Sequence, residues 1–320
     1  MRPALTPPPR RARPSAPTVR RAATVLSLAA VMTVVAACGA TASAPVDGGG
    51  RTVPRSVPVA DRSTGSEGAT ALAAVRAFRV DIGNASSAFV SDIGDLQRDL
   101  AAGDVPAART DELGAQAQFD QFRQLAGGNP INASTVDELA SQVGPGQSFG
   151  GLHAVERDLW ATPGGEISQA VADASGLEAQ APVAEYLLSR DAPAPEAIGA
   201  LGVDDLNWLD DEAVTEDQVL YSHLDAVDIA ASATAADTAF AAIAPLAQQV
   251  APTLSSEVAG RFTTLTSEVK SLGPPTQVAD SQLAAPRLLA ISQQADATAA
   301  GLAQLAADLA PFGTGGGGDP

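Results

Sequence analysis

The chain of 320 residues is acidic, with 37 Asp and Glu against 19 Lys and Arg and a formal net charge of −18. Because nucleic acids and anionic membranes attract positive charge, this balance argues against both as partners. The single cysteine, Cys38, excludes an intramolecular disulfide, a cysteine-rich zinc site and a cysteine-ligated cluster. The length allows one large domain or two small ones, with a substantial core.

Residues 1–37 have the composition of an export signal. They contain six arginines and no acid, and their apolar run, residues 22–37, stops at Cys38. A charged start, a short apolar core and small residues are typical of a secretory signal, and the run is shorter than the about 20 residues of a membrane span. Val35-Ala36-Ala37-Cys38-Gly39 resembles a bacterial lipobox, which implies a lipid on Cys38 and an extracytoplasmic lipoprotein anchored to the cell membrane. An ordinary signal peptide with an incidental cysteine and an uncleaved anchor are the alternatives.

The composition divides the mature chain into a tether, a folded region and a tail. Residues 38–66 are predicted to be the lipidated cysteine and a flexible tether, because Gly, Ala, Ser, Thr and Pro without apolar periodicity bury too little surface to fold. The Gly-rich residues 312–320 are predicted to be disordered for the same reason. The folded domain is therefore predicted to be residues 67–311.

The folded region has the pattern of an all-α protein. Apolar residues recur at three- and four-residue steps, as in Leu72, Val75 and Phe78, and the alanine-rich composition favours helix. The predicted helices are residues 69–102, 106–125, 135–143, 149–160, 166–189, 216–250, 253–272 and 281–310. Long antiparallel helices of this kind predict a helical bundle. The acids at 204–205 and 210–212 predict a solvated acidic loop.

One of the two histidines stands at a spacing that can bind a metal ion. His153 precedes Glu156 by three residues, so on a helix their Cβ atoms lie about 5–6 Å apart on one face. An imidazole nitrogen and a carboxylate placed in this way suit iron, zinc or copper. A hydrogen bond between the two on the surface of the protein is the alternative.

Two segments resemble the signatures of one family. Residues 150–160, Gly-Gly-Leu-His-Ala-Val-Glu-Arg-Asp-Leu-Trp, resemble the His-x-x-Glu signature of the EfeO/imelysin family, and residues 216–225 resemble its acidic segment followed by Tyr-Ser-His-x-Asp. The two motifs occur in the family's order, and the resemblance covers residues 70–310. It implies an all-helical domain of two four-helix bundles in a periplasmic iron-uptake lipoprotein of the EfeO/EfeM kind.

The resemblance also implies a set of metal ligands. They are His153, Glu156, Asp120 and either Glu216 or Asp217. The family places a second acid three residues after the first on the second helix, where this chain has Arg123. A guanidinium repels a cation, so either the site is weaker or Arg123 turns outward. The family's loop acid corresponds to Asn132 or Asp137, and His223 is expected to orient the helices through a carboxylate rather than to bind metal.

The function predicted from these features is capture of iron, as Fe(II) or Fe(III), and its delivery to a membrane permease; zinc or copper could take the same ligands. The resemblance also implies a haem peroxidase as a second partner in the uptake system. A metallopeptidase is disfavoured, because the chain lacks the second histidine of His-Glu-x-x-His, and no enzymatic activity is expected. A polysaccharide-binding lipoprotein is also disfavoured, because residues 38–320 carry 37 acidic and 13 basic side chains, which oppose an anionic sugar.

Overall fold

The computed structural model describes residues 65–126, 149–162, 164–178, 193–215 and 221–312, with positions 136 and 143. Within these ranges the chain is helical and contains no strand, which confirms the all-α prediction. The division into two four-helix bundles stays a prediction. Cys38, the tether and the tail from residue 313 lie outside the described residues. The helices are α1 (Ser66–Ala102), α2 (Val105–Asp120), α3 (Arg123–Ala126), α4 (Leu152–Trp160), α5 (Ile167–Glu178), α6 (Pro195–Thr215), α7 (Ala226–Val250), α8 (Pro252–Lys270) and α9 (Ala285–Leu309).

Helices α1 and α2 form an antiparallel pair joined by a tight turn. Gly103 ends α1 with a positive φ of 73°, and its backbone N–H bonds to the carbonyls of the last turn, an arrangement that glycine adopts without steric cost. Asp104 then begins α2 by accepting a hydrogen bond from the Ala107 N–H at 3.2 Å, as an N-cap residue does. The predicted helix 106–125 is interrupted by a turn at residues 121–122, so α3 is a separate short helix.

Residues 195–215 form helix α6, and the predicted acidic loop at 204–212 is therefore wrong. Pro195 occupies the first helical position, where its fixed φ favours a helix start. Ile198, Leu206 and Leu209 are fully buried, and α6 packs against α7 and most extensively against α9. Burial of its apolar face therefore makes this segment a packed helix, although its sequence is rich in acids.

Helix α7 begins ten residues later than the predicted helix 216–250. Residues 221–225 form a turn with His223 at a φ of 57°, and residues 216–220 lie outside the described ranges. Among the described helices α7 is the one that is long and apolar enough to cross a membrane, but 61% of its most apolar stretch is buried in the protein. A central position in the core accounts for that composition.

A single hydrophobic core runs from α1 to α9. At the end of α2, Phe89, Phe119 and Phe122 form a cluster of rings with centroids 5.3–5.9 Å apart. Such tilted and edge-on aromatic contacts stabilise more than their buried area alone. They fix the turn between α2 and α3, and with it the position of the adjacent Arg123.

Candidate functional site

Helix α4 carries His153 and Glu156 on one buried face. Gly151, with a φ of 82°, gives the chain its entry into the helix. His153 Nδ1 lies 3.3 Å from Glu156 Oε2, and the two residues are only 3% and 1% exposed. The pair is therefore an interior feature, and the alternative of a hydrogen bond on the protein surface does not apply.

The other oxygen of Glu156 is held by backbone groups from a distant part of the chain. The N–H groups of Tyr221 and Ser222 both donate to Glu156 Oε1, at 3.2 and 2.8 Å. Hydrogen bonds to a charged acceptor are about twice as strong as neutral ones. Glu156 thus has one oxygen toward His153 and one toward the turn 221–225, which fixes the plane of the carboxylate.

The turn 221–225 is in turn fastened to Asp280, in the connection between α8 and α9. The Asp280 N–H donates to the carbonyl of His223 at 3.0 Å, and Asp280 Oδ1 accepts from the Asp225 N–H at 3.0 Å. Asp280 Oδ2 lies 3.5 Å from His223 Nδ1. The expectation that His223 orients the helices through a carboxylate stays a prediction; its side chain is 69% exposed.

Asp120 and Arg123 form a buried ion pair. Asp120 is fully buried, and its Oδ1 accepts from Arg123 Nη1 and from Gln116 Nε2, both at 3.0 Å. Arg123 Nη2 donates to Ser232 Oγ at 2.9 Å, and the guanidinium carbon lies 3.9 Å from the centre of the Trp208 ring. Of the two alternatives given for Arg123, the outward side chain is wrong, because the guanidinium contacts an acid, a hydroxyl and an aromatic ring in the interior.

Asp205 of α6 is a further buried carboxyl that interacts electrostatically with Arg123 and Asp120. It is 5% exposed, and burial raises its pKa well above the ordinary value; the positive charge of Arg123 opposes that shift without reversing it. Burial therefore favours the uncharged form of Asp205, and the charge of Arg123 is balanced chiefly by Asp120.

Several buried polar residues around these groups were not predicted from the sequence. Glu112 and Gln116 precede the predicted Asp120 at four-residue steps on one face of α2, and Asp225 and Asp228 lie at the start of α7; all are buried. The four-residue spacing of polar side chains on an otherwise apolar helix face was the available signal.

The structure brings together only part of the predicted ligand set. His153 and Glu156 face each other, whereas Asp120 is engaged by Arg123 and Gln116. Among the described residues, no group of three or more His, Cys, Asp or Glu side chains is arranged to hold a metal ion. Glu216, Asp217, Asn132 and Asp137 lie outside those residues, so the complete set stays a prediction.

Two comparisons with known proteins leave the family open. No protein-family model matches the chain, and no curated protein matches it significantly.

Proposed function

We propose that the chain is a lipid-anchored extracytoplasmic protein of the EfeO/imelysin type that binds iron at His153 and Glu156 and delivers it to a membrane permease. The observation that carries the proposal is the buried, preoriented pair on α4, with Nδ1 of His153 3.3 Å from Oε2 of Glu156. Buried ionisable side chains are costly unless they are paired or bind a partner, and a cation shared by the two side chains would be such a partner.

The chemistry of the pair suits a transition-metal cargo. Imidazole nitrogen with carboxylate oxygen is a ligand combination for iron, and also for zinc or copper. The backbone hydrogen bonds that hold Glu156 Oε1 correspond to the outer contacts that orient carboxylate ligands in metal sites. Glu216 and Asp217 precede Tyr221 by five and four residues in the sequence, and the proposal assigns the further oxygen ligand to one of them.

Metal titration of the purified protein with Fe(II), Fe(III), Zn(II) and Cu(II) tests this proposal. His153→Ala and Glu156→Gln should each weaken binding by about 10–100-fold or more, since even outer contacts of a metal site commonly contribute that much. Affinity should also fall at acid pH, because an imidazolium does not bind metal.

Glu257→Gln is the matched control, because Glu257 is an exposed carboxylate on α8. Its affinity should equal that of the parent protein. If His153→Ala binds iron as tightly as the parent, exposed acids are collecting cations without specificity and the proposed site is wrong.

A further inference from the structure

The turn 221–225 is a built support for the Glu156 carboxylate. We propose that Asp280 locks this turn, and that Asp280 is thereby a positioning residue that sets how tightly the site on α4 holds its cation. The part of this inference that concerns cation binding rests on the proposed function. Its structural part, the fixing of Glu156 by a locked turn, stands on contacts that can be measured without metal.

The first step concerns the freedom of the Glu156 side chain. The terminal torsion of a glutamate is broad, with no sharply preferred angle, so a free carboxylate samples many orientations. Two N–H groups on the same oxygen remove that freedom, with Tyr221 at 3.2 Å and Ser222 at 2.8 Å. Oε2 is then presented to His153 Nδ1 in one orientation. A ligand that is already oriented loses less entropy when it binds.

The second step concerns the conformation that brings both N–H groups to one oxygen. His223, next to this pair, has a φ of 57°, and it is the one non-glycine residue with positive φ in the part of the chain that the structure describes. Non-glycine residues enter this left-handed region at a steric cost. Such a conformation persists only where surrounding contacts over-determine it, so the turn needs a fastening.

The third step identifies the fastening as one residue. Asp280 uses its backbone N–H on the His223 carbonyl and its Oδ1 on the Asp225 N–H, both at 3.0 Å, while its Oδ2 faces the His223 ring. These contacts reach both the strained residue and the end of the turn. Asp280 begins a short 3₁₀ turn, Asp280–Gln282, between α8 and α9. The connection between α8 and α9 thus acts through the turn 221–225 on the side chain of Glu156, on α4.

A simpler role for Asp280 is to satisfy the Asp225 N–H at the start of α7. In that case its removal would lower stability and leave Glu156 oriented. The two roles differ in their effect on the amides of Tyr221 and Ser222, and they differ again when Glu156 itself is changed. Both differences can be measured on the full-length protein.

The experiment measures Zn(II) and Fe(II) affinity, hydrogen exchange of the Tyr221 and Ser222 amides without metal, and urea unfolding. Asp280→Ala should weaken metal binding about tenfold or more and increase exchange of both amides. Asp280→Asn keeps an oxygen for the Asp225 N–H and should retain most of the protection. Asp296→Ala, at an exposed acid of α9, is the control and should change neither property.

A double-mutant cycle shows whether Asp280 acts through Glu156. In a Glu156→Gln background, Asp280→Ala should cause little further loss of metal affinity, because the group that it positions has already lost its charge. If the two losses multiply independently, Asp280 does not act through Glu156 and the inference is wrong.

Substitution of His223 tests the role of its backbone. His223→Gly and His223→Val both remove the ring that faces Asp280, but glycine accepts positive φ and valine does not. Protection of the two amides should be kept in the first variant and lost in the second. Equal protection in both would overturn the claim that the left-handed residue shapes the support.

The results separate the two proposals. If the parent binds neither Zn(II) nor Fe(II) while Asp280→Ala still exposes the two amides, the proposed function fails and the locked turn stands. If the parent binds metal and Asp280→Ala matches Asp296→Ala in affinity and exchange, the locked turn is wrong and the proposed function stands.

Discussion

Arg123 carries a positive charge into the interior of the domain, where both terminal nitrogens and the planar face of its guanidinium have partners. One nitrogen binds Asp120, another binds Ser232, and the planar face lies on the ring of Trp208. Arginine suits this place better than lysine, because its flat fork can make two directed hydrogen bonds and stack on an aromatic ring at the same time. The result is a fixed cation in the protein that already neutralises Asp120.

That ion pair bears on the ligand set expected for the site. A carboxylate in a buried ion pair is released only by leaving the partner charge uncompensated, which costs about 3–5 kcal/mol. In the present arrangement Asp120 is engaged by Arg123, and its predicted role as a metal ligand would have to offset that cost. Glu216 and Asp217 remain the predicted source of the further oxygen ligand.

Asp205 makes the stability of the protein depend on pH. Because burial raises its pKa, the folded state keeps a proton that the unfolded state releases above about pH 4, so stability falls as the pH rises toward the folded pKa. Asp205→Asn removes this dependence. Its free energy of unfolding should rise relative to the parent by up to about 1.4 kcal/mol per pH unit, measured by urea unfolding at pH 5, 6.5 and 8.

The same measurement on Asp296→Asn, at an exposed site, provides the comparison and should show no such trend. If the difference between Asp205→Asn and the parent is constant with pH, Asp205 is ionised in the folded protein, and its burial is fully compensated by Arg123.

At the scale of elements, α6 and α9 approach each other closely because α6 has glycine at two contact positions. A Cβ built on Gly199 would lie 2.9 Å from Cβ of Ala306, and one on Gly202 would lie 2.9 Å from Leu302 Cδ2. Real Cβ atoms essentially never approach other atoms so closely. Ala306 is short and cannot swing away, so the helices themselves would have to separate.

Gly199→Ala should therefore destabilise the protein. Overpacking of a core costs about 1–3 kcal/mol, whereas the gain in helix propensity is at most about 1 kcal/mol. Gly260→Ala on α8 is the matched control, since nothing lies within 4 Å of its added Cβ, and it should stabilise by about 0.4–1 kcal/mol. Urea unfolding checks both. Equal effects of the two substitutions would show that α6 and α9 can adjust freely.

Some elements follow from the local sequence and others do not, for physical reasons. Helices α1, α8 and α9 follow from apolar periodicity, because each buries one face along its whole length. Helix α6 was not predicted because its acids dominate the local composition, while the positive charge that opposes the raised pKa of Asp205 comes from Arg123, on another element. The turn 221–225 was predicted to be helical. Its real conformation could not be read from the local sequence, because the acceptor of its N–H groups, Glu156, lies 65 residues away from Tyr221.

The candidate site also has one part that the sequence predicts and one part that it does not. The spacing of His153 and Glu156 predicted a shared face, and the structure places their side chains together. The inward position of Arg123 could not be predicted, because it depends on Ser232 and Trp208, two residues about a hundred positions further along the chain. Local patterns predict which side chains one helix presents together, and they do not predict which distant groups compensate a buried charge.

The whole molecule is strongly divided in charge. Residues 1–37 hold six arginines and no acid, whereas residues 38–320 hold 37 acids and 13 basic residues. Removal of the first segment would leave an acidic protein that anionic lipid repels, so a stable position at a membrane requires an anchor other than charge. The lipid predicted on Cys38 would supply it, and the tether would keep the acidic domain clear of the surface.

Cys38→Ser should move the protein from the membrane fraction to the soluble fraction without unfolding it, and it should abolish incorporation of labelled fatty acid. The reason is that two or more acyl chains hold a protein stably at a membrane, whereas anionic lipid repels an acidic protein. A double variant, Cys38→Ser with Ser43→Cys, keeps one cysteine in the tether but displaces it from the lipobox position. It should behave like Cys38→Ser. If the parent protein incorporates no labelled fatty acid and keeps residues 22–37, as mass spectrometry would show, the apolar segment itself is the anchor and the lipid prediction is wrong.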